Sequence, residues 1–215
     1  MRARVYSFEA DDIIVHWDYL RCIHVEECIR SLPEVFDRHR RPWIDPALAS
    51  ADEVVAACEV CPTGALHYKR KDNGPAEQTP ATNTITVSSD GPLFVKGKIR
   101  IVDEDGEPLL EETRVALCRC GHSRNKPLCD GNHEKAGFRA VGELAEAHVN
   151  AGREGESDGG ELLIRAADPG PLVINGSAEI RGDQSANCCH VHVGALCCCG
   201  RSKNKPFCDG SHAEE

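Results

Sequence analysis

Two stretches of the chain carry the same potential metal ligands at the same spacing: Cys118, Cys120, Cys129 and His133, then Cys197, Cys199, Cys208 and His212. Each reads C-x-C-x8-C-x3-H. Three thiolates and one imidazole make a complete four-ligand set, and soft thiolates select zinc or iron-sulfur chemistry over hard cations. Zinc sites usually pair cysteines as C-x2-4-C around one ion, whereas a C-x-C pair followed by a remote C-x3-H suits two irons that take two ligands each. Spacing leaves both readings open. In a two-iron cluster, histidine in place of one thiolate removes a negative charge and raises the reduction potential. Ligation through a neutral imidazole also predicts acid lability, because protonation near a reference pKa of about 6.5 competes with the metal.

A third group lies near the N-terminus, where Cys22 and Cys28 frame C-I-H-V-E-E-C and Cys61-Pro62 follows at a distance. Bacterial ferredoxins use C-x2-C-x2-C with a remote C-P, so this is that pattern with Val25 at the middle ligand position. Three cysteines suit a 3Fe-4S cluster. A 4Fe-4S cluster needs His24, Cys58 or solvent for its fourth iron. Cys58 shares a helical face with Val54 and Cys61 and reads also as a small buried apolar residue; His24 reads also as a surface histidine. The run Cys188-Cys189-His190-Val191-His192 invites a further metal site, although the aligned segment of the first repeat, Leu109 to Thr113, offers neither cysteine nor histidine. Cys198 stands between two ligands and points away from them in an extended strand.

The elements that position these residues follow from an internal repeat. Slid along itself by 79 residues, Gly91–His133 aligns without a gap on Gly170–His212, with 18 of 43 positions identical. Two copies of one module fill the C-terminal two thirds. Each begins with β-branched residues broken by Gly and Pro, Thr84 to Val102 and Leu162 to Ile180, which predicts short strands. In the N-terminal segment, Arg2 to Phe8 and Ile13 to Trp17 read as two short strands separated by an acidic turn around Asp11. Ser50 followed by Glu53 is a capping box that opens a helix through Val54, Val55, Ala57 and Cys58, stopped by Cys61-Pro62. The Pro, Gly and Thr content of Asn73 to Thr82 marks a linker. The expected organisation is a cluster domain over 1–72, a linker over 73–83, a first module over 84–140, a second linker over 141–160 and a second module over 161–215. The fold class is α+β.

Composition agrees with metal-supported folding. The 13 cysteines account for part of a 40% hydrophobic fraction and aromatics are 5%, a thin apolar supply for 215 residues. An odd cysteine count, with no apolar h-region in the first twenty residues, argues against a secreted disulfide framework and for reduced thiols in a cytoplasmic protein. No apolar run is long enough to span a bilayer. A net charge of −10 argues against nucleic acid or anionic membrane as partner.

The stretches CRCGHSRNKPLCDGNH and CCCGRSKNKPFCDGSH resemble the signature of the CDGSH iron-sulfur (mitoNEET-type) proteins, C-x-C-x2-S/T-x3-P-x-C-D-G-S/A/T-H. Ser123, Pro127, Asp130 and Gly131 fit in the first copy, and Ser202, Pro206, Asp209, Gly210 and Ser211 in the second. Asn132 departs, standing where the family has a small residue. The resemblance implies a redox-active 2Fe-2S cluster in each copy with three cysteine ligands and one histidine, and, since many members are homodimers, an intramolecular pseudo-dimer within a monomeric chain. The segments CIHVEECIRSLPEVFD, RPWIDP and CPTGALHY resemble the divergent mono-cluster ferredoxin domain, which implies one 4Fe-4S or 3Fe-4S cluster on Cys22, Cys28 and Cys61 and a ferredoxin-like N-terminal domain. The implied activity is electron transfer, or cluster transfer, to a redox or cluster-acceptor protein, without catalysis. A zinc-stabilised interaction module is the alternative, and an oxidoreductase subunit a third reading with little support in the composition.

Overall fold

The computed structural model describes residues 4–144, 160–184 and 187–213, so most of the connection expected over 141–160 lies outside the described residues. The chain divides into an N-terminal unit, residues 2–78, and a C-terminal unit from Thr79 onward, each with its own sheet and core. The class is α+β weighted heavily towards β. Among the described residues no helix is long and apolar enough to cross a membrane.

In the N-terminal unit, β1 (Val5–Glu9), β2 (Ile13–Asp18) and β3 (Leu66–Arg70) form an antiparallel sheet with β2 at its centre. Alternation along β2 buries Ile13 and Val15 on one face. Against them pack Leu32, Val35, Phe36 and Ile44, and Val54, Ala57 and Cys58 at helical spacing on α2 (Ala51–Glu59). The expected capping box opens α2: Ser50 N donates to Glu53 Oε2 at 2.9 Å and Glu53 N donates to Ser50 Oγ at 3.4 Å. A shorter helix, α1 (Glu27–Ser31), carries Cys28.

In the C-terminal unit the segments expected to hold short strands become β4 (Thr84–Val87) with β5 (Leu93–Val102), and β7 (Leu162–Ala166) with β8 (Leu172–Gly182). β5 and β8 are longer than expected, at 10 and 11 residues, because each serves two partners in succession. β5 pairs antiparallel with β4 through Leu93 to Lys96, then parallel with β7 through Ile99 to Val102. β8 pairs antiparallel with β7 through Leu172 to Asn175, then parallel with β4 through Glu179 to Gly182. The exchange is reciprocal: Thr84 faces Glu179, and the residues one repeat on and one repeat back, Leu163 and Arg100, face each other. Two outer strands, β6 (Pro108–Leu117) on β5 and β9 (Cys188–Leu196) on β8, run from the sheet into the ligand loops. Ile85, Val95, Ile101, Ile164, Ile174 and Ile180 lie in one core shared by both repeats.

The change of partner happens at a glycine in each repeat. Gly97 has φ +153° and Gly176 φ +124°, inside the register shifts of β5 and β8. A Cβ on Gly97 would lie 2.9 Å from Asn83 Cα, and one on Gly176 would lie 3.2 Å from Leu162 Cα, the residue equivalent to Asn83. Only a residue without a side chain lets the strands approach so closely. Asn83 itself is 2% exposed and joins the repeats. Its Nδ2 donates to Gly160 O and Ser177 O, both at 2.9 Å, and its Oδ1 accepts from Lys98 N at 2.9 Å.

Asn83→Ala leaves these buried groups without their partners and is expected to lower the unfolding free energy of the C-terminal unit by about 2–4 kcal/mol. Denaturant titration followed by tertiary-structure circular dichroism measures this. A loss below about 1 kcal/mol would mean that the exchange of strands does not depend on Asn83.

Candidate metal centres

Each ligand loop is a turn held closed by the motif's own residues. β6 ends at Leu117 and β9 at Leu196, so Cys118 and Cys197 are the first residues beyond the sheet. Cys118 N donates to Pro127 O and Cys129 N donates to Ala116 O, each at 2.8 Å. Cys197 N to Pro206 O and Cys208 N to Ala195 O repeat this at 2.8 Å. Inside the loop, Ser123 Oγ donates to Leu128 O at 2.5 Å and accepts from Asn125 N at 3.1 Å, while Ser202 Oγ does the same with Phe207 O at 2.7 Å and Asn204 N at 3.0 Å. Asp130 Oδ2 accepts from Arg124 N, and Asp209 Oδ2 from Lys203 N, both at 2.8 Å. The Ser and Asp of the signature are therefore loop staples.

Asn132 fills its unusual place by a related bond. Where Ser211 Oγ donates to Asp209 Oδ1 at 2.6 Å, Asn132 Nδ2 donates to Asp130 Oδ2 at 2.9 Å and also to His122 O at 3.3 Å. The longer amide spans the loop as well as binding the aspartate, and the adjoining His133 is buried while His212 is half-buried.

The ligands fall into close pairs. Cys118 Sγ lies 3.8 Å from Cys120 Sγ, and Cys129 Sγ lies 3.4 Å from His133 Nδ1. In the second repeat Cys197 and Cys199 are 3.7 Å apart, and Cys208 and His212 are 3.3 Å apart. Two ligand atoms on one tetrahedral ion, with bonds of about 2.0–2.3 Å, stand about 3.3–3.8 Å apart. Each pair thus fits one ion. Among the described residues, however, no three ligand atoms of either quartet lie mutually within 4.8 Å.

Electrostatics favour the thiol over the free thiolate at Cys120, Cys129 and Cys197. Burial pushes Cys129 up to about 12. The hydrogen bond between Cys118 and Cys120 holds Cys118 down to about 6 and pushes Cys120 well up. Backbone N–H groups soften the cost, with His122 N 3.4 Å from Cys120 Sγ, Gly131 N 3.5 Å from Cys129 Sγ and Gly210 N 3.4 Å from Cys208 Sγ. Burial lowers the pKa of His133, which keeps its imidazole neutral and able to ligate.

The two C-x-C loops meet back to back. Cys120 and Cys199 form an antiparallel bridge. Cβ atoms on Gly121 and Gly200 would lie 2.7 Å from Cys199 O and 2.9 Å from Cys120 O, and both glycines have positive φ, +84° and +81°. Arg119, between the first pair of ligands, was not singled out by its sequence. It is nonetheless buried, donates through Nε to Gly91 O at 3.0 Å and through Nη1 to Val141 O at 3.1 Å, and lies over the Phe138 ring. Cys198 takes the same place in the second repeat, its thiol donating to the equivalent carbonyl, Gly170 O, at 2.8 Å. Spacing within the motif signals that residue's direction, away from the ligands, and nothing about its identity.

In the N-terminal unit Cys22, Cys28 and Cys61 line one cavity with Trp17, His24, Trp43 and Pro62. The loop reaches it through left-handed backbone at His24, φ 57°, and Glu26, φ 65°. His24 Nδ1 stands 3.8 Å from Cys22 Sγ. Cys58 is fully buried in the hydrophobic core and is not among the residues lining the cavity. Burial, then the neighbouring Cys61 and Cys22, pushes Cys28 up to about 12; burial also raises Cys22. The buried indole Nε1–H of Trp43 has no hydrogen-bond partner among the described residues, and Trp17 stands at Cys22, where its side chain works against the effect of burial on the thiol. Three convergent thiols beside an orphaned indole donor fit a multinuclear anionic group with sulfur acceptors. Cys189 is buried in the core of the C-terminal unit.

Comparison with known proteins agrees with this geometry. The family described as "Iron-binding zinc finger CDGSH type" matches twice, over residues 90–134 and 169–213. The family described as "Divergent 4Fe-4S mono-cluster" matches residues 8–71. The uncharacterized protein YjdI of Escherichia coli K12 is 35% identical over 68 residues, which covers 32% of this chain and 87% of YjdI, and YjdI of Escherichia coli O157:H7 matches to the same extent. No solved structure matches the chain. With its ligand sets, its repeat and these matches in agreement, the chain belongs to the CDGSH iron-sulfur proteins, as one with two tandem CDGSH motifs fused to an N-terminal divergent 4Fe-4S mono-cluster domain.

Proposed function

We propose that the chain is a carrier with three iron-sulfur centres: a 2Fe-2S cluster in each repeat, held by three cysteines and one histidine, and a 3Fe-4S or 4Fe-4S cluster on Cys22, Cys28 and Cys61. The pairing of ligands carries the reading. A single zinc ion would draw all four atoms of a quartet to within about 3.8 Å of one another, whereas each quartet here is split into two ion-sized pairs without a compact trio. When bound, such clusters accept and return single electrons. The chain's residues hold them in place, exclude water from the first repeat and keep His133 neutral. For a fourth iron in the N-terminal unit, His24 is better placed than Cys58.

The reciprocal ladder supports reading the two repeats as an intramolecular pseudo-dimer, and so a monomeric chain. The sequence has no glycine-rich nucleotide loop, nucleophile elbow or paired catalytic carboxylates, which favours electron or cluster transfer over catalysis. The partner on this reading is a cytoplasmic redox or cluster-acceptor protein. The basic stretches HSRNK and RSKNK, beside the ligands, suit an acidic docking face.

Protein purified without oxygen is expected to hold about seven to eight irons per chain, with matching acid-labile sulfide, and to give a 2Fe-2S EPR signal after dithionite. Two zinc ions and almost no sulfide, in protein made under iron-replete conditions, would sink the proposal in favour of a structural zinc module. Cys22→Ser is expected to remove roughly three to four irons and leave the reduced 2Fe-2S signals unchanged; loss of those signals too would refute separate centres. Acidification should bleach the first repeat only at low pH, because burial disfavours protonation of His133 and a proton competes for it only below the ordinary histidine range. His133→Cys should remove that acid-driven loss of visible absorption; a transition unaffected by the variant would argue against histidine ligation.

A further inference from the structure

Outside the cluster quartets, the β8–β9 hairpin assembles three different ligand types. Glu179 faces His190 across the antiparallel ladder, and Cys188 faces Arg181. Side chains alternate along a strand, so Glu179, Cys188 and His190 share one face of the sheet while Cys189 turns into the core. One carboxylate oxygen, one Sγ and one ring nitrogen lie within 4.8 Å of one another, and all three residues are half-buried. Among the described residues no other trio of His, Cys, Asp and Glu does this. His192 has the same parity on β9 but lies inside the register shift between Asn175 and Ala178 and has no partner in the ladder.

The first repeat supplies an internal control. It carries, 79 residues earlier, Arg100 facing Glu111, the same pairing as Glu179 with His190, and Leu109 in the sequence place of Cys188. Beyond that pair the copies differ, since a register shift sets Val102 against Pro108 where Arg181 faces Cys188, and the cysteine and histidine belong to the second copy alone. An ordinary cross-strand Arg/Glu pair is exchanged for Glu/His with a cysteine beside it.

We propose that Glu179, Cys188 and His190 bind one borderline divalent transition-metal ion, of which zinc is the representative. Thiolate, imidazole and carboxylate are each zinc ligands, and a set containing sulfur and nitrogen disfavours magnesium and calcium. Ligand atoms on a tetrahedral ion stand about 3.3–3.8 Å apart, so small side-chain rotations close the observed trio. Three protein ligands leave a fourth position open to water, the arrangement of sites that exchange ligands rather than of closed structural ones. Arg181 Nη1 stands 3.8 Å from Glu179 Oε1 and its Nε 3.5 Å from Thr86 Oγ1, a loose contact that an ion displaces at little cost. The site rests on the hairpin's geometry and not on the cluster assignment.

The test is titration of the full-length, cluster-loaded chain with Zn²⁺ alone, after dialysis against a weak chelator. Wild type is expected to take up about one zinc per chain without losing iron or sulfide, and X-ray absorption should show one sulfur at about 2.3 Å with nitrogen and oxygen at about 2.0–2.1 Å. Cys188→Ser and His190→Gln should each weaken binding at least tenfold. Glu179→Gln, which leaves the whole of β9 intact, should do the same if β9 substitutions disturb folding. No uptake, equal uptake by wild type and the Cys188→Ser/His190→Gln double variant, or uptake matched by loss of iron and sulfide overturns the proposal. Were the quartets themselves to hold zinc, wild type would still carry one zinc more than the double variant, so this difference reads the hairpin site whatever fills the quartets.

Discussion

A thiolate withdrawn from water persists only with a cation against it, and both units of this chain gather several such groups in little space. At Cys28 and Cys129 burial is the first cause of a pKa near 12, with neighbouring cysteines adding to it. At Cys118 and Cys120 the hydrogen bond between the two sulfurs pulls one pKa down and pushes the other up. Without a cation Cys28 and Cys129 hold their protons. A bound metal would supply the charge that releases them, which would tie metal binding to folding and to pH. The frame must hold the ligand groups together until that charge arrives, and in each repeat the ligand loop starts at the end of a strand and is stapled back to it.

In the C-terminal unit the frame is one repeat completed by the other. β4 and β7 each finish the sheet begun by the opposite copy, so neither copy closes its core alone. This geometry fixes the backbone far more tightly than the side chains. Glycine recurs at 97 and 176 and again at 121 and 200, where a Cβ would strike the other strand or the other loop. Positions that only need a hydrogen-bond donor have diverged: Arg119 and Cys198 satisfy equivalent carbonyls with a guanidinium and a thiol.

Much of the site was legible because ligation demands residue types that little else demands at such spacing. The capping box at Ser50 and Glu53, the β1–β2 pair and the Cys61-Pro62 stop were equally plain, since each is a local rule obeyed locally. What escaped was non-local. Nothing in Thr84–Val87 says that its second partner lies in β8, about a hundred residues on, and Asn83 looks like a turn residue until the strands exchange around it. The lengths of β5 and β8 were missed for the same reason. His24 and Cys58 were equal candidates in sequence and became unequal only when α2 carried Cys58 into the core.

Repetition of the backbone and divergence of the surroundings have separable physical effects. The bridge between Cys120 and Cys199 fixes the separation of the two ligand loops, a matter of geometry that both copies share. The free energy of placing charge on either side of that bridge is not shared. The first quartet is buried throughout, and the buried Arg119 guanidinium is in electrostatic reach of Cys197 in the second quartet as well as Cys120 in its own. In the second quartet Cys199, Cys208 and His212 are only half-buried, so water reaches that side of the bridge and not the other. A buried cation lowers the cost of added negative charge beside it, while water does so at an exposed site through its dielectric response. Identical ligand sets therefore sit in two different electrostatic environments at a fixed spacing, and that difference lies in residues outside the motif's ligands.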